Sequence, residues 1–313
     1  MSNEDYRPAL DDPNAWVPYR YHPSNIAAII LVVAFTLTTF LHIFQLCRRK
    51  TWYFIPLVIG GLFEATGYIG RILSHNDLWA LGPFIMQSLL ILIAPALFAA
   101  SIYIILGRII LLVDGERYSL VRQKWLTKMF VAGDVFSFLL QGAALHTGEK
   151  LIIAGLFTQL FFFAFFIVIA GMFHYRLVND KPVQKQIGHQ RLPSTQSTSY
   201  VNLAELPWKR HLYNLYATSG LIMIRSVFRV IEYLQGNAGY LLSHEIFLYI
   251  FDAVLMLAVM LLFNWVHPSE VTEAYHKRRT TGESAELQHV RDGYMGRGTS
   301  VGKGERGAQD AYV

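Results

Sequence analysis

The chain has 313 residues, 53% of them hydrophobic and only 16% charged, with a mean hydropathy of +0.34. Ordinary soluble domains carry about 25% charged residues, so the composition points away from a soluble fold and toward the bilayer. The net charge of +5 is no nucleic-acid footprint, because the basic residues sit beside apolar blocks, and the single cysteine, Cys47, excludes an internal disulfide.

Residues 1–24 form a polar N-terminal arm ending in Tyr21-His22-Pro23-Ser24. They lack the basic start and short apolar run of a cleavable signal, so the first span is expected to act as its own insertion signal. Seven apolar blocks follow, at 25–46, 53–73, 84–106, 126–145, 151–174, 213–234 and 246–267. Each is close to the roughly 20 residues that cross hydrocarbon as a helix; the fourth and sixth are the least apolar. Two long polar segments complete the chain. The loop from Tyr175 to His211 contains the Ser- and Thr-rich run from Pro193 to Ser199, and the tail after Pro268 holds seven basic and seven acidic residues. Both read as disordered, serving either as phosphorylation targets or as plain tethers. Cys47 stands beside Arg48 at the end of the first block, as a palmitoylation site or an unmodified interfacial thiol.

Orientation follows from Lys and Arg, which favour the cytoplasmic side. Of 27 such residues, 21 lie in the first, third and fifth connections and the tail, counting Lys128 in the first turn of the fourth block with the third connection, and three lie in the arm and the other connections. The remaining three, Arg71, Arg225 and Arg229, lie inside blocks. The expected architecture is an all-α, polytopic membrane protein, a seven-transmembrane helix bundle with its N-terminus outside and its C-terminus cytosolic. Its parts are an extracellular arm (1–24), the bundle (25–267) and a cytoplasmic tail (268–313).

The informative residues are ionisable groups within the blocks: Glu64, Arg71, Asp134, Arg225, Arg229, Glu232 and Asp252. Each costs about 2.5–3.5 kcal/mol at mid-membrane, or about 20 kcal/mol together if they faced lipid, so they turn inward and pair. Residues three, four or seven apart share a helix face, which joins Glu64 with Arg71, Arg225 with Arg229 and Glu232, and Glu245 with Asp252. Helix direction places Arg71, Gln87, Gln141, Arg229, Glu232 and Glu245 in the outer half, with Glu64, Asp134, Arg225 and Asp252 nearer the middle. Two readings compete: an ion-pair network that fixes packing, or a cavity wall that receives the polar head of an amphipath. These ten residues are the candidate substrate-binding set.

Other features are weaker. Pro95 interrupts a hydrogen bond in the third helix and kinks it; Gly60, Gly61 and Gly67 permit close helix contact. Three histidines can hold a catalytic zinc, yet His42, His174 and His267 stand at helix ends where histidine commonly rests at the interface. No His-x-x-x-His pair, nucleophile elbow or phosphate-cradling loop occurs, so neither enzyme activity nor a metal or cofactor is expected.

Long ordered strings identify a resemblance. They include Trp52 to Pro56, Glu64-Ala65-Thr66-Gly67-Tyr68-Ile69-Gly70-Arg71, and Ala94 to Tyr103. Leu106 to Ile110, Phe130 to Phe138, Gln141-Gly142, Arg225 to Glu232, Phe251-Asp252 and His267-Pro268 continue the match. Over residues 20–270 the chain resembles the fungal RTA-like proteins, known as the lipid-translocating exporter family. It departs at Ala143-Ala144-Leu145, where that family often has further glycines. The resemblance implies a fungal multi-pass protein of the plasma membrane or another endomembrane, exporting or translocating lipids of the sphingoid long-chain-base type and conferring resistance to toxic amphipaths. Its partners would be membrane lipids or amphipathic small molecules, and carboxylates would meet a cationic amine while arginines meet phosphate. The alternative is a seven-helix sensor or receptor for an amphipathic ligand.

Overall fold

The computed structural model describes residues 17–121, 123–147, 149–179, 208–236, 239–277 and 280. The Pro193–Ser199 run and the tail beyond 280 lie outside them. The described residues form seven long helices and no strand: α1 (Asn25–Arg49), α2 (Ile55–Asn76), α3 (Leu81–Leu112), α4 (Gln123–Thr147), α5 (Glu149–Val178), α6 (Trp208–Leu234) and α7. The last begins as Glu245–Leu248, passes through a π-helical stretch, Tyr249–Val254, and resumes as Leu255–Trp265.

Local chemistry sets several of these boundaries. Ser24 caps α1 by accepting from the Ala27 amide, satisfying one of the donors a helix start leaves open. Lys50 closes α1 in the left-handed conformation at φ 51°, and Pro56 occupies the first turn of α2, where its missing N–H costs nothing.

Five helical stretches among the described residues are long and apolar enough to cross a membrane: Asn25–Arg49, Trp52–Asn76, Leu81–Leu112, Lys150–Val178 and Glu245–Lys277. The two long helices outside this set, α4 and α6, come from the least apolar blocks, and α6 alone carries Lys209, Arg210, Arg225, Arg229 and Glu232. Apolar side chains also cover the outside of the bundle: Ile26 is 74% exposed, Leu37 64% and Phe161 67%. An apolar surface of this extent needs a non-aqueous neighbour; the chain is a multi-pass membrane protein.

Each helix packs on its successor, α7 returns to α1, and α3 passes inside the ring to reach α6. Accordingly α3 is buried along most of its length. Small residues bring α2 onto it: a Cβ at Gly67 would stand 2.7 Å from Ile91 Cγ1, and one at Gly70 3.0 Å from the Pro83 carbonyl oxygen.

The two ends of the bundle differ. At one, residues 17–24 fold over the helix ends, with Val17 and Tyr19 buried. At the other, the chain departs from the expected disorder after Pro268. Residues 269–277 are helical, with Val271 buried. Tyr53 donates to the Pro268 carbonyl at 3.0 Å, Arg49 to Ser269 at 2.7 Å and Arg108 to Thr272 at 3.2 Å. The Arg108 guanidinium also lies 3.4 Å from the centre of the Tyr53 ring. This short helix bolts the ends of α1, α2 and α3 together.

Candidate functional site

A cavity of about 590 Å³ opens at the arm end, where the start of α3 meets the ends of α2, α4 and α6 and the starts of α5 and α7. Arg71, Gln87, Gln141, Arg229 and Glu232 provide its polar lining. Leu81, Phe84, Ile85, Leu89 and Leu92 of α3, Ile152 of α5 and Leu248 of α7 provide an apolar wall. Pro18, Tyr19 and Tyr21 of the arm cover it. Its volume falls in the range of about 300–1,000 Å³ typical of ligand pockets.

Below the arm, Arg71 is the centre of a tyrosine cage. Its Nη2 donates to Glu245 Oε1 at 2.7 Å and to the Tyr21 hydroxyl at 2.8 Å, and its Nε to the Tyr249 hydroxyl at 3.1 Å. The guanidinium carbon lies 5.9, 5.4 and 5.3 Å from the ring centres of Tyr19, Tyr21 and Tyr249, within cation–π range. Glu245 Oε1 also accepts from the Ser24 amide at 2.8 Å and from Tyr249 at 2.6 Å. The Tyr19 hydroxyl donates to Gln87 at 2.8 Å. Burial raises Tyr21 above the ordinary tyrosine range, opposed by the neighbouring Arg71 charge, so at physiological pH it meets Arg71 as a neutral hydroxyl.

Deeper between α3, α6 and α7 lies a second network. Asp252, wholly buried, pairs through Oδ1 with Arg225 and through Oδ2 with Arg229. Arg229 pairs in turn with Glu232 at 2.7 Å, one turn along α6. The remaining donor of Arg225 explains an oddity of α3. Pro95 has no N–H, so the carbonyl four residues before it, Ile91, lacks its helical partner; Arg225 Nη2 donates to that oxygen at 2.6 Å. Asp252 itself stands in the π-helical stretch of α7, a local widening that often marks functional sites.

The ten residues singled out by sequence therefore fall into distinct places. Five of the six assigned nearest one end line the cavity; the sixth, Glu245, holds Arg71 beneath the arm. Arg225 and Asp252 form the deeper network. Glu64 is buried on α2, near Asp252, Arg225 and Arg229, with neither carboxyl oxygen hydrogen-bonded among the described residues. Asp134 is not brought into either network: it neighbours Tyr103, which packs among Phe130, Phe163 and Phe166. Gln141 is held by Ser137 at 2.9 Å, whose hydroxyl donates to the Gly155 carbonyl of α5 at 2.5 Å.

Sequence reasoning missed the tyrosines. Tyr19, Tyr21, Tyr233 and Tyr249 line the cavity or hold its arginines, and tyrosine near a membrane surface carries no penalty that would single it out. The three histidines considered for a metal are separated: His42 and His267 both pack on Phe54, whereas His174 packs on Trp208 and Tyr216.

A family model described as "RTA1 like protein" matches residues 57–274, which run from within α2 into the helix after Pro268 and include every residue of the two networks outside the arm. The chain belongs to the RTA1-like family. Its curated relatives include, in Saccharomyces cerevisiae, protoporphyrin uptake protein 1, 34% identical over 80% of this chain and 92% of that protein. Protein RTM1 of the same yeast is 33% identical over 79% and 90%. A sphingoid long-chain base transporter, RSB1, is 26% identical over 77% and 70%. No solved structure matches this RTA1-like chain.

Proposed function

We propose that this protein moves amphipathic small molecules across the bilayer, taking the polar head into the arm-end cavity and leaving the apolar tail along α3. The observation that carries the reading is the cavity's mixed lining: ion-paired Arg71, Arg229 and Glu232 supply polar groups, and leucines, isoleucines and Phe84 supply an apolar surface. A polar floor inside the bundle lowers the cost of carrying a headgroup through hydrocarbon, where an unpaired charge is expensive. The relatives support the same class, since one is named for porphyrin uptake and another for long-chain-base transport. Both cargoes are amphipaths.

The finer reading follows from the charge distribution. All seven long helices span, α4 and α6 being tolerated because their charged faces turn inward, and the basic ends of the helices lie in the cytosol. The cavity then opens on the outer half of a fungal plasma membrane, and the cargo is a long-chain base or similar toxic amphipath moved outward without a chemical step.

Reconstitution tests this directly. The purified protein in liposomes, offered fluorescent long-chain base, phospholipid and porphyrin, is expected to move at least one of them faster than protein-free liposomes. Glu232→Gln and Arg229→Gln should each slow that movement. Binding without movement would assign the protein to ligand sensing instead, and neither binding nor movement would remove the cavity from consideration.

A further inference from the structure

Glu64 has no counterpart in the pairing scheme around it. Asp252 is shared by two arginines, Glu232 is paired with Arg229, and Glu245 with Arg71. Three arginines thus meet three acids, and Glu64 is a fourth acid, wholly buried, with both carboxyl oxygens unpartnered among the described residues. A carboxylate ionised in that position would be buried without a hydrogen bond or a dedicated counter-charge, which is strongly disfavoured. The groups that face it are Tyr68 from its own helix, Arg225 and Arg229 from α6, and Asp252 from α7.

We propose that Glu64 is a proton-binding site, and that it gives up its proton when a cationic headgroup enters the cavity. This rests on the transport reading and deepens it by naming the exchanged ion. The exchange balances: a cation arriving at Glu232 or Asp252 displaces an arginine, the displaced guanidinium turns to Glu64, and the carboxyl proton leaves to water. One positive charge enters and one departs. Tyr68 marks the exit, since its hydroxyl is buried and likewise unpartnered among the described residues. It stands one turn beyond Glu64 on the α2 face that leads to Arg71 and the cavity. The coupling would give the protein an energy source, because a proton gradient then drives export of the cation.

The test uses the full-length protein in nanodiscs, with sphingosine as the cationic probe in weakly buffered medium containing a pH indicator. Wild type is expected to release one proton per sphingosine bound, and Glu64→Gln, which mimics the neutral acid in shape, none. Equal proton release by the two overturns the proposal. Should wild type bind no amphipath, the transport reading fails by itself, and infrared spectra of the ligand-free proteins decide the proton site. A protonated-carboxyl band present in wild type and missing from Glu64→Gln supports it; identical spectra overturn it.

Discussion

Asp252 is the residue on which the deep network depends, and its neutralisation has a magnitude that the structure sets. In Asp252→Asn the side chain keeps its shape and one acceptor oxygen, so one arginine still finds a hydrogen bond. The other guanidinium loses its partner, and both lose the negative charge between them. Arg229 retains Glu232 and Arg225 retains the Ile91 carbonyl, which leaves Arg225 as a buried cation with no ion pair, its one nearby acid outside the Arg229–Glu232 pair being Glu64, which must lose a proton before it can serve. Removing one member of a buried ion pair costs about 3–5 kcal/mol. That is a large part of the 5–15 kcal/mol that holds a typical domain together.

At about 2–4 °C per kcal/mol for a folded unit of 150–250 residues, the size class of the bundle at residues 25–267, the thermal midpoint should fall by about 6–20 °C. Fluorescence-monitored melting of the purified protein in nanodiscs measures it. The double variant Asp252→Asn with Arg225→Gln discriminates the cause. It removes the stranded cation along with its partner and should recover more than half of the loss, because the two sites share one interaction. A single variant that melts within 2 °C of wild type, or a double variant that loses the sum of both single effects, would refute the account of Arg225 as a charge compensated by Asp252.

Two further outcomes follow from the geometry. Tyr21→Phe removes the hydroxyl that accepts from Arg71; a hydrogen bond to a charged group is worth about 1.5–3 kcal/mol, so the arm should open about tenfold to a hundredfold more often, read as faster tryptic cleavage at Arg20, and an unchanged rate would show that the arm is held elsewhere. Pro95→Ala restores an N–H that competes with Arg225 for the Ile91 carbonyl; alanine is better than proline inside a helix by about 3 kcal/mol, so the variant should melt no lower than wild type while amphipath movement in liposomes falls, and a marked loss of stability would contradict this role for Arg225.

The helices and the buried charges were legible in the sequence for one reason: hydrocarbon is an unforgiving solvent. A run of twenty apolar residues has few other uses, and an arginine such as Arg225 within it must find a partner. What spacing along one helix could not supply was the identity of partners on other helices. Arg225 reaches Ile91 across 134 residues of sequence, and Tyr19 reaches Gln87 across 68. That Pro95 frees the Ile91 carbonyl was readable from the chemistry of proline, but not the side chain that donates to it. The π-helical stretch of α7 has no proline or glycine to announce it. The helix after Pro268 did leave a trace, since Val271, Ala274 and Tyr275 fall three and four residues apart behind a proline that suits a first turn. The seven basic and seven acidic residues of the tail mask that signal in its overall composition.

The position of Arg225 joins two requirements that are usually separate. Inside a membrane every backbone polar group must be satisfied by the protein itself, and every charge must be balanced. Arg225 meets the first demand at the Ile91 carbonyl freed by Pro95 and the second at Asp252 in the π-helical stretch. Moving it therefore exposes a backbone acceptor and an acid together. Any cation that displaces it must bring at least two donors, one for each. An ammonium headgroup has three; a quaternary ammonium has none. Discrimination between amines that differ only in methylation is therefore the expected outcome, and it is measured by comparing the binding of a primary long-chain amine with that of its trimethylated form. Equal affinity for both would mean that ligands never reach Arg225.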